Sequence, residues 1–65
     1  MKVKILDVQY NPLPFDDDIT EEESAKRASD IIGSELEVEL PQLIEAAVRD
    51  ELRCHIHSLK WEEVA

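Results

Sequence analysis

Glycine, cysteine and aromatic residues are nearly missing from this chain: one glycine, one cysteine, and one each of Phe, Tyr and Trp in 65 residues. With Gly33 standing alone, neither a P-loop nor a Gly-rich dinucleotide fingerprint can be written. Cys54 has no partner for an intramolecular disulfide, and a lone thiol points to a reducing compartment. No apolar run approaches the roughly 18 residues that a membrane span requires. The first residues, Met1-Lys2-Val3-Lys4-Ile5, hold no apolar stretch and no small-residue cleavage site, so no export signal is expected. A cytoplasmic protein is the expectation.

Basic residues are scarce as well, seven against sixteen acidic ones, for a net charge of −9. The deficit is local. Ten of the acids lie between Asp16 and Glu39, where Lys26 and Arg27 are the only bases, so this window carries −8 (2 − 10). The other 41 residues (65 − 24) sum to −1 (5 − 6). A field of one sign repels nucleic acid and anionic headgroups and attracts basic partners. Direct nucleic-acid binding and membrane-surface binding are therefore not expected.

What is present suffices for one small domain, residues 1–65. A chain this short buries only about 60% of its unfolded surface, but a hydrophobic fraction of 43% provides a core. Lys2 to Tyr10 reads as a strand, with Val3 and Ile5 on one face and Leu6, Val8 and Tyr10 on the other. The phase shift at Ile5-Leu6 implies a bulge or a strand buried on both sides. Asn11-Pro12-Leu13-Pro14 ends it, leaving residues 11–18 as a loop.

Thr20-Glu21-Glu22-Glu23 fits a capping box, so a helix starts near Thr20, with three glutamates at the positive end of its dipole. Ala25, Ala28, Ile31 and Ile32 make its apolar stripe, and Gly33 is the expected stop. Ser34 to Leu40 alternates glutamate with Leu36, Val38 and Leu40, the pattern of a half-buried strand. Pro41 opens a second helix with Ile44, Ala47, Val48 and Leu52 on its buried side. The weak helix formers from Cys54 to Ser58 argue for helix 41–52 and a final strand near 54–63. One long C-terminal helix is the rival. The expected fold is thus α+β, a small β-α-β-α-β domain with a three-stranded sheet and two helices, with β-α-β-α as the alternative.

Chemistry-bearing motifs are few. On a strand His55 and His57 share a face about 6–7 Å apart, but structural zinc takes four ligands, and Cys54 points the other way. The same opposition keeps Cys54 from activation by His55. Asp16-Asp17-Asp18 lacks the alternation and glycine of a calcium loop. No catalytic residue, metal site or cofactor is expected, and the chain reads as a non-enzyme. Core packing is the expected place of Phe15 and Trp61.

The carboxylates remain. Asp16, Asp17, Asp18, Glu21, Glu22 and Glu23 gather at one helix entrance, and Glu35, Glu37 and Glu39 form a ladder about 6–7 Å apart along one strand face. Such an array imitates a phosphate backbone and fits a basic groove made for nucleic acid. In size and charge the chain is similar to small phage-encoded inhibitors that mimic DNA, including anti-CRISPR and anti-restriction proteins, a similarity of composition that involves no motif. The expected function is an acidic binding protein that occupies a basic, nucleic-acid-binding surface of a protein partner. The alternative is an accessory subunit acting through a homodimer, with its acids serving solubility.

Overall fold

The computed structural model describes residues 1–64. Its elements run β1 (Lys2–Tyr10), α1 (Glu21–Ile31), β2 (Glu35–Glu37), α2 (Leu43–Leu52) and β3 (Ile56–Val64). This is the expected α+β arrangement, and residues after α2 form a strand rather than more helix. The break comes at Arg53, which takes a left-handed conformation at φ 58° while its amide still bonds Arg49 O at 2.8 Å. A left-handed cap usually falls to glycine.

The sheet has the order β2-β1-β3, with β1 antiparallel to both neighbours. Pairing slips between Ile5 and Asp7, which leaves Leu6 as the extra residue of a bulge. The bulge brings Val3, Ile5 and Val8 onto one face, where each is at most 5% exposed, and Leu6 turns out to solvent at 44%. A second irregularity leaves His57 without a partner between Ser58 and Ile56.

Both helices cover that apolar face. Ala28 and Ile31 from α1 and Ile44, Val48 and Leu52 from α2 close the core over Val3, Ile5 and Val8, with Cys54 beside them. The buried side of α1 is Ser24, Ala28 and Ile31, not the stripe with Ala25 and Ile32, both of which are exposed. The helix is rotated by one residue because Ser24 is fully buried, its hydroxyl donating to Leu52 O at 2.8 Å. A buried hydroxyl needs such a partner. Ala47 likewise lies outside the buried stripe of α2. The two helices run antiparallel, so the start of α1 lies against the end of α2.

Two elements are shorter than their patterns implied. β2 spans three residues rather than seven, because Gly33 and Ser34 already pair with Ile5 before it begins and a turn at Leu40–Pro41 follows it. Val38 extends the ladder by one exchange with Met1, its amide bonding Met1 O at 2.8 Å. Helix α2 starts at Leu43, since Pro41 and Leu40 accept the turn bonds of Ile44 and Leu43. Gly33 sits at φ 87°, which only glycine adopts without strain, so its place after α1 is a backbone requirement.

Candidate functional site

The loop after β1 is built to deliver carboxylates to the start of α1. Asn11 Oδ1 accepts the Leu13 amide at 3.0 Å and starts the turn through the two prolines. The Asn11 amide donates to His55 O and the Phe15 amide to Arg53 O, both at 2.9 Å, which seats the loop on the link between α2 and β3. Asp16 then makes a turn of its own, with Oδ1 accepting the Asp18 amide at 2.9 Å. Its other oxygen receives the Arg53 guanidinium. Ile19, 8% exposed, anchors the segment in the core just before the helix.

Thr20 caps α1, its hydroxyl accepting the Glu23 amide at 3.2 Å. Among the described residues the return bond of the capping box, from the Glu23 carboxylate to the Thr20 amide, is not formed. Glu21, Glu22 and Glu23 all stay exposed around the positive end of the helix dipole, as do Asp17 and Asp18. Of the six acids from Asp16 to Glu23, only Asp16 lies within ion-pair range of a cation among the described residues. The Asp18 amide holds the Asp16 carboxyl below its ordinary value, and Arg53 lowers it further against the opposing effect of partial burial.

Glu35 and Glu37 stand in different surroundings. Each faces a lysine of the central strand, Glu35 opposite Lys4 and Glu37 opposite Lys2. Lys4 in turn meets Glu62 on its other side, and Asp7 meets Lys60. The Met1 ammonium lies 3.6 Å from Glu37. The ladder is therefore woven into a cross-strand pattern of alternating charge, each facing pair contributing roughly 0.2–1 kcal/mol. Glu39 is exposed but lies beyond the strand, in the turn before α2.

The nine carboxylates thus fall into two groups at opposite ends of α1. Eleven helical residues at about 1.5 Å each separate them by roughly 16 Å, twice the Debye length of about 8 Å at physiological salt. In the first group only Asp16 has a cation in ion-pair range among the described residues; in the second Glu35 and Glu37 lie opposite lysines in the strand register, and Glu37 alone has a cation in range, the Met1 ammonium. Between them α1, β2 and α2 enclose an open groove of about 480 Å³, with Ile31, Leu36 and Ala47 on its apolar side and Asp30, Glu35 and Glu51 among its charged residues. That Glu51 lines the same groove as Glu35 was not legible in the sequence, because only the packing of the helices brings it there. Arg53, 37 residues from Asp16, had no sequence signal as its partner.

The remaining motif residues sit apart from these groups. Cys54 is fully buried, its thiol directed at Leu52 O at 3.4 Å. His55 packs on Phe15 with ring centroids 5.3 Å apart. Among the described residues no group of three or more His, Cys, Asp or Glu side chains is placed to hold a metal ion. Phe15 is 49% exposed rather than part of the core, packed at the surface on His55, while Ile19 is the residue of this loop that is buried. Trp61 is half-buried and packs against the core edge.

No helix is long and apolar enough to cross a membrane among the described residues. Compared with known proteins, the chain matches no family model, no curated protein and no solved structure.

Proposed function

We propose that this chain is a non-enzymatic binding protein that presents its acidic α1 entrance to a basic surface of a protein partner, of the kind that otherwise binds nucleic acid. The observation that carries this reading is the set Asp17, Asp18, Glu21, Glu22 and Glu23, five exposed carboxylates with no cation in ion-pair range among the described residues. Unmatched surface charge of one sign is a poor source of stability and a good source of attraction. Asp16, held by Arg53, fixes the loop that carries them. Glu35, Glu37 and Glu39 form a second, weaker acidic face, because Lys2 and Lys4 already answer two of the three.

A basic groove that receives this entrance releases the anions condensed on it and gains the long-range steering that nucleic acid enjoys. The chain acts there as an inhibitor by occupancy and needs no catalytic group. A reducing, cytoplasmic setting suits its lone buried thiol.

The test is competition. A panel of DNA-binding domains carrying labelled duplex DNA is titrated with the protein at several salt concentrations. Displacement of DNA by at least one member, weakening steeply as salt rises, supports the reading. Failure to displace DNA from any member, or displacement indifferent to salt, overturns it.

A further inference from the structure

The two edges of the sheet are unequal. β2 offers three residues and then leaves for a turn at Leu40–Pro41, whereas β3 offers nine, from Ile56 to Val64, and pairs only with β1. Natural edge strands are usually kept short, bulged, or interrupted by proline, since a long open row of amides and carbonyls recruits another strand. β3 contains neither proline nor glycine. Past the irregularity at His57 every β3 residue from Ser58 to Val64 has a partner on β1, seven residues centred on Trp61, with the one slip in this stretch taken up by Leu6 of β1.

The side chains of that stretch alternate between the two faces, with the exposed Glu63, opposite Val3, the one charge on the helix side. Leu59 and Trp61 face the helices opposite Val8 and Ile5, and both are only half-buried. Lys60 and Glu62 lie on the open face, opposite Asp7 and Lys4. Across β1 the row reads Glu35, Lys4, Glu62, alternating in sign, and it stops at the free edge. Lys60 and Glu62 each have an opposite charge on one side and no strand on the other.

We propose that β3 pairs antiparallel with β3 of a second copy about a two-fold axis through Trp61, joining the two sheets into one of six strands. In this register Lys60 of each copy faces Glu62 of the other, and the two Trp61 side chains meet on the helix side. The open-face row then runs Glu35, Lys4, Glu62, and on into the second copy as Lys60 and Asp7, with no like charges face to face. Moving the axis to Lys60 or to Glu62 sets two like charges directly opposite. A one-residue slip turns the apolar side of one copy toward the charged side of the other. An axis at Leu59 sets no like charges opposite but leaves Lys60 facing Ser58, so the register centred on Trp61 is the one that gains charge pairs, and this self-complementarity points to a second copy as the occupant. One strand pair is a small interface, so the dimer is a reversible one, working against the mutual repulsion of two copies at −9 each. The β3 edge shares no residue with the α1 entrance, so self-pairing and basic-partner binding stand or fall separately.

Sedimentation equilibrium on the full chain tests this. The wild type is expected to show a monomer–dimer equilibrium in the micromolar range, with the emission of Trp61, the only tryptophan, shifting as the dimer forms. Lys60→Glu alone and Glu62→Lys alone are each expected to loosen the dimer at least tenfold. An equimolar mixture of the two recovers it. There the introduced glutamate at 60 faces the introduced lysine at 62, and the native Glu62 of one variant faces the native Lys60 of the other. Far-UV circular dichroism controls for folding. If either variant fails that control, Lys60→Gln and Glu62→Gln replace the pair, setting no like charge against Asp7 or Lys4, and each is expected to loosen the dimer by a smaller factor. A wild type that stays monomeric throughout the micromolar range, single variants as dimeric as wild type, or a mixture of folded variants that stays monomeric overturns the proposal.

Discussion

The two ends of α1 carry six and three of these carboxylates and set them in different surroundings. At the entrance, Asp17, Asp18, Glu21, Glu22 and Glu23 are exposed with no cation in range, and only Asp16 is neutralised. At the exit, Glu35 and Glu37 each face a lysine across the sheet. Charge counted along the chain treats both stretches alike. Charge counted in space leaves five acids of the first group with no cation in ion-pair range among the described residues and sets two of the second opposite lysines. What separates them is the register of β1 against β2, which places Lys2 and Lys4, residues outside the acidic window, beside the glutamates.

The sharpest way to break this comparison is to neutralise each group separately. Replacing Asp17 and Asp18 by Asn and Glu21, Glu22 and Glu23 by Gln removes five unmatched charges. At about 0.5 kcal/mol per exposed charge contact the loss of affinity for a basic partner is roughly 2.5 kcal/mol, close to a hundredfold. Replacing Glu35, Glu37 and Glu39 by Gln is expected to change affinity far less while lowering folding stability. Competition titrations and urea melts on both variants decide the matter. Equal losses of affinity would show that the lysines do not distinguish the two ends.

A second test addresses what holds the entrance in place. Ser24 lies fully buried on the first turns of α1 and ties them to Leu52 O, at the end of α2. Ser24→Ala removes the donor and is expected to cost about 1–2 kcal/mol, seen as a lower urea midpoint. No comparable side-chain bond ties the middle of β2 to a helix among the described residues, so Leu36, half-buried at the sheet edge, depends on packing instead.

Third in size is Lys4→Gln. Lys4 sits between Glu35 and Glu62, so its loss leaves two acids unanswered and is expected to cost about 1 kcal/mol, shrinking as salt rises. Lys26→Gln, at an exposed position of α1 with no ion pair among the described residues, is expected to stay within about 0.5 kcal/mol of wild type. If the two substitutions cost the same, the alternating pattern on the sheet contributes nothing.

Much of this fold was legible because its strongest signals are local. The β-rich run from Lys2 to Tyr10 ends at a double proline, and β1 has those bounds. Thr20 and Gly33 bracket α1 by capping chemistry, which needs only neighbours in sequence. The end of α2 was harder, since Arg53 takes the left-handed conformation usually left to glycine, and only the weak helix formers after it gave warning. Ser24 escaped because a serine reads as exposed until a distant carbonyl is there to receive it. Phe15 is expected inside because large aromatics usually are, yet it stays 49% exposed against His55 while Ile19 is the buried residue of the loop. The candidate site was half legible: the acids are visible as a run, but which of them meet lysine depends on strand register and on Arg53, neither of which composition carries.

The smallest expected effect lies at the border between the two regimes, where one acid of the open group is held. The Asp18 amide and Arg53 keep the Asp16 carboxyl below its ordinary value of 3.8. A group whose folded value is depressed contributes stability that is present above its unfolded value and lost as pH falls through the folded one. The contribution of Asp16 is therefore complete above about pH 4 and fades in the acid range below it. Asp16→Asn keeps an oxygen for the Asp18 amide and removes only the charge that Arg53 meets. Its deficit against wild type in urea melts is expected to be small above pH 4 and to vanish toward pH 2. Because this pair sits on the surface, high salt is expected to reduce the deficit at every pH. A deficit that persists undiminished at pH 2 would mean that Asn disturbs the turn itself, and that the loop is held by its backbone bonds to His55 and Arg53 rather than by charge.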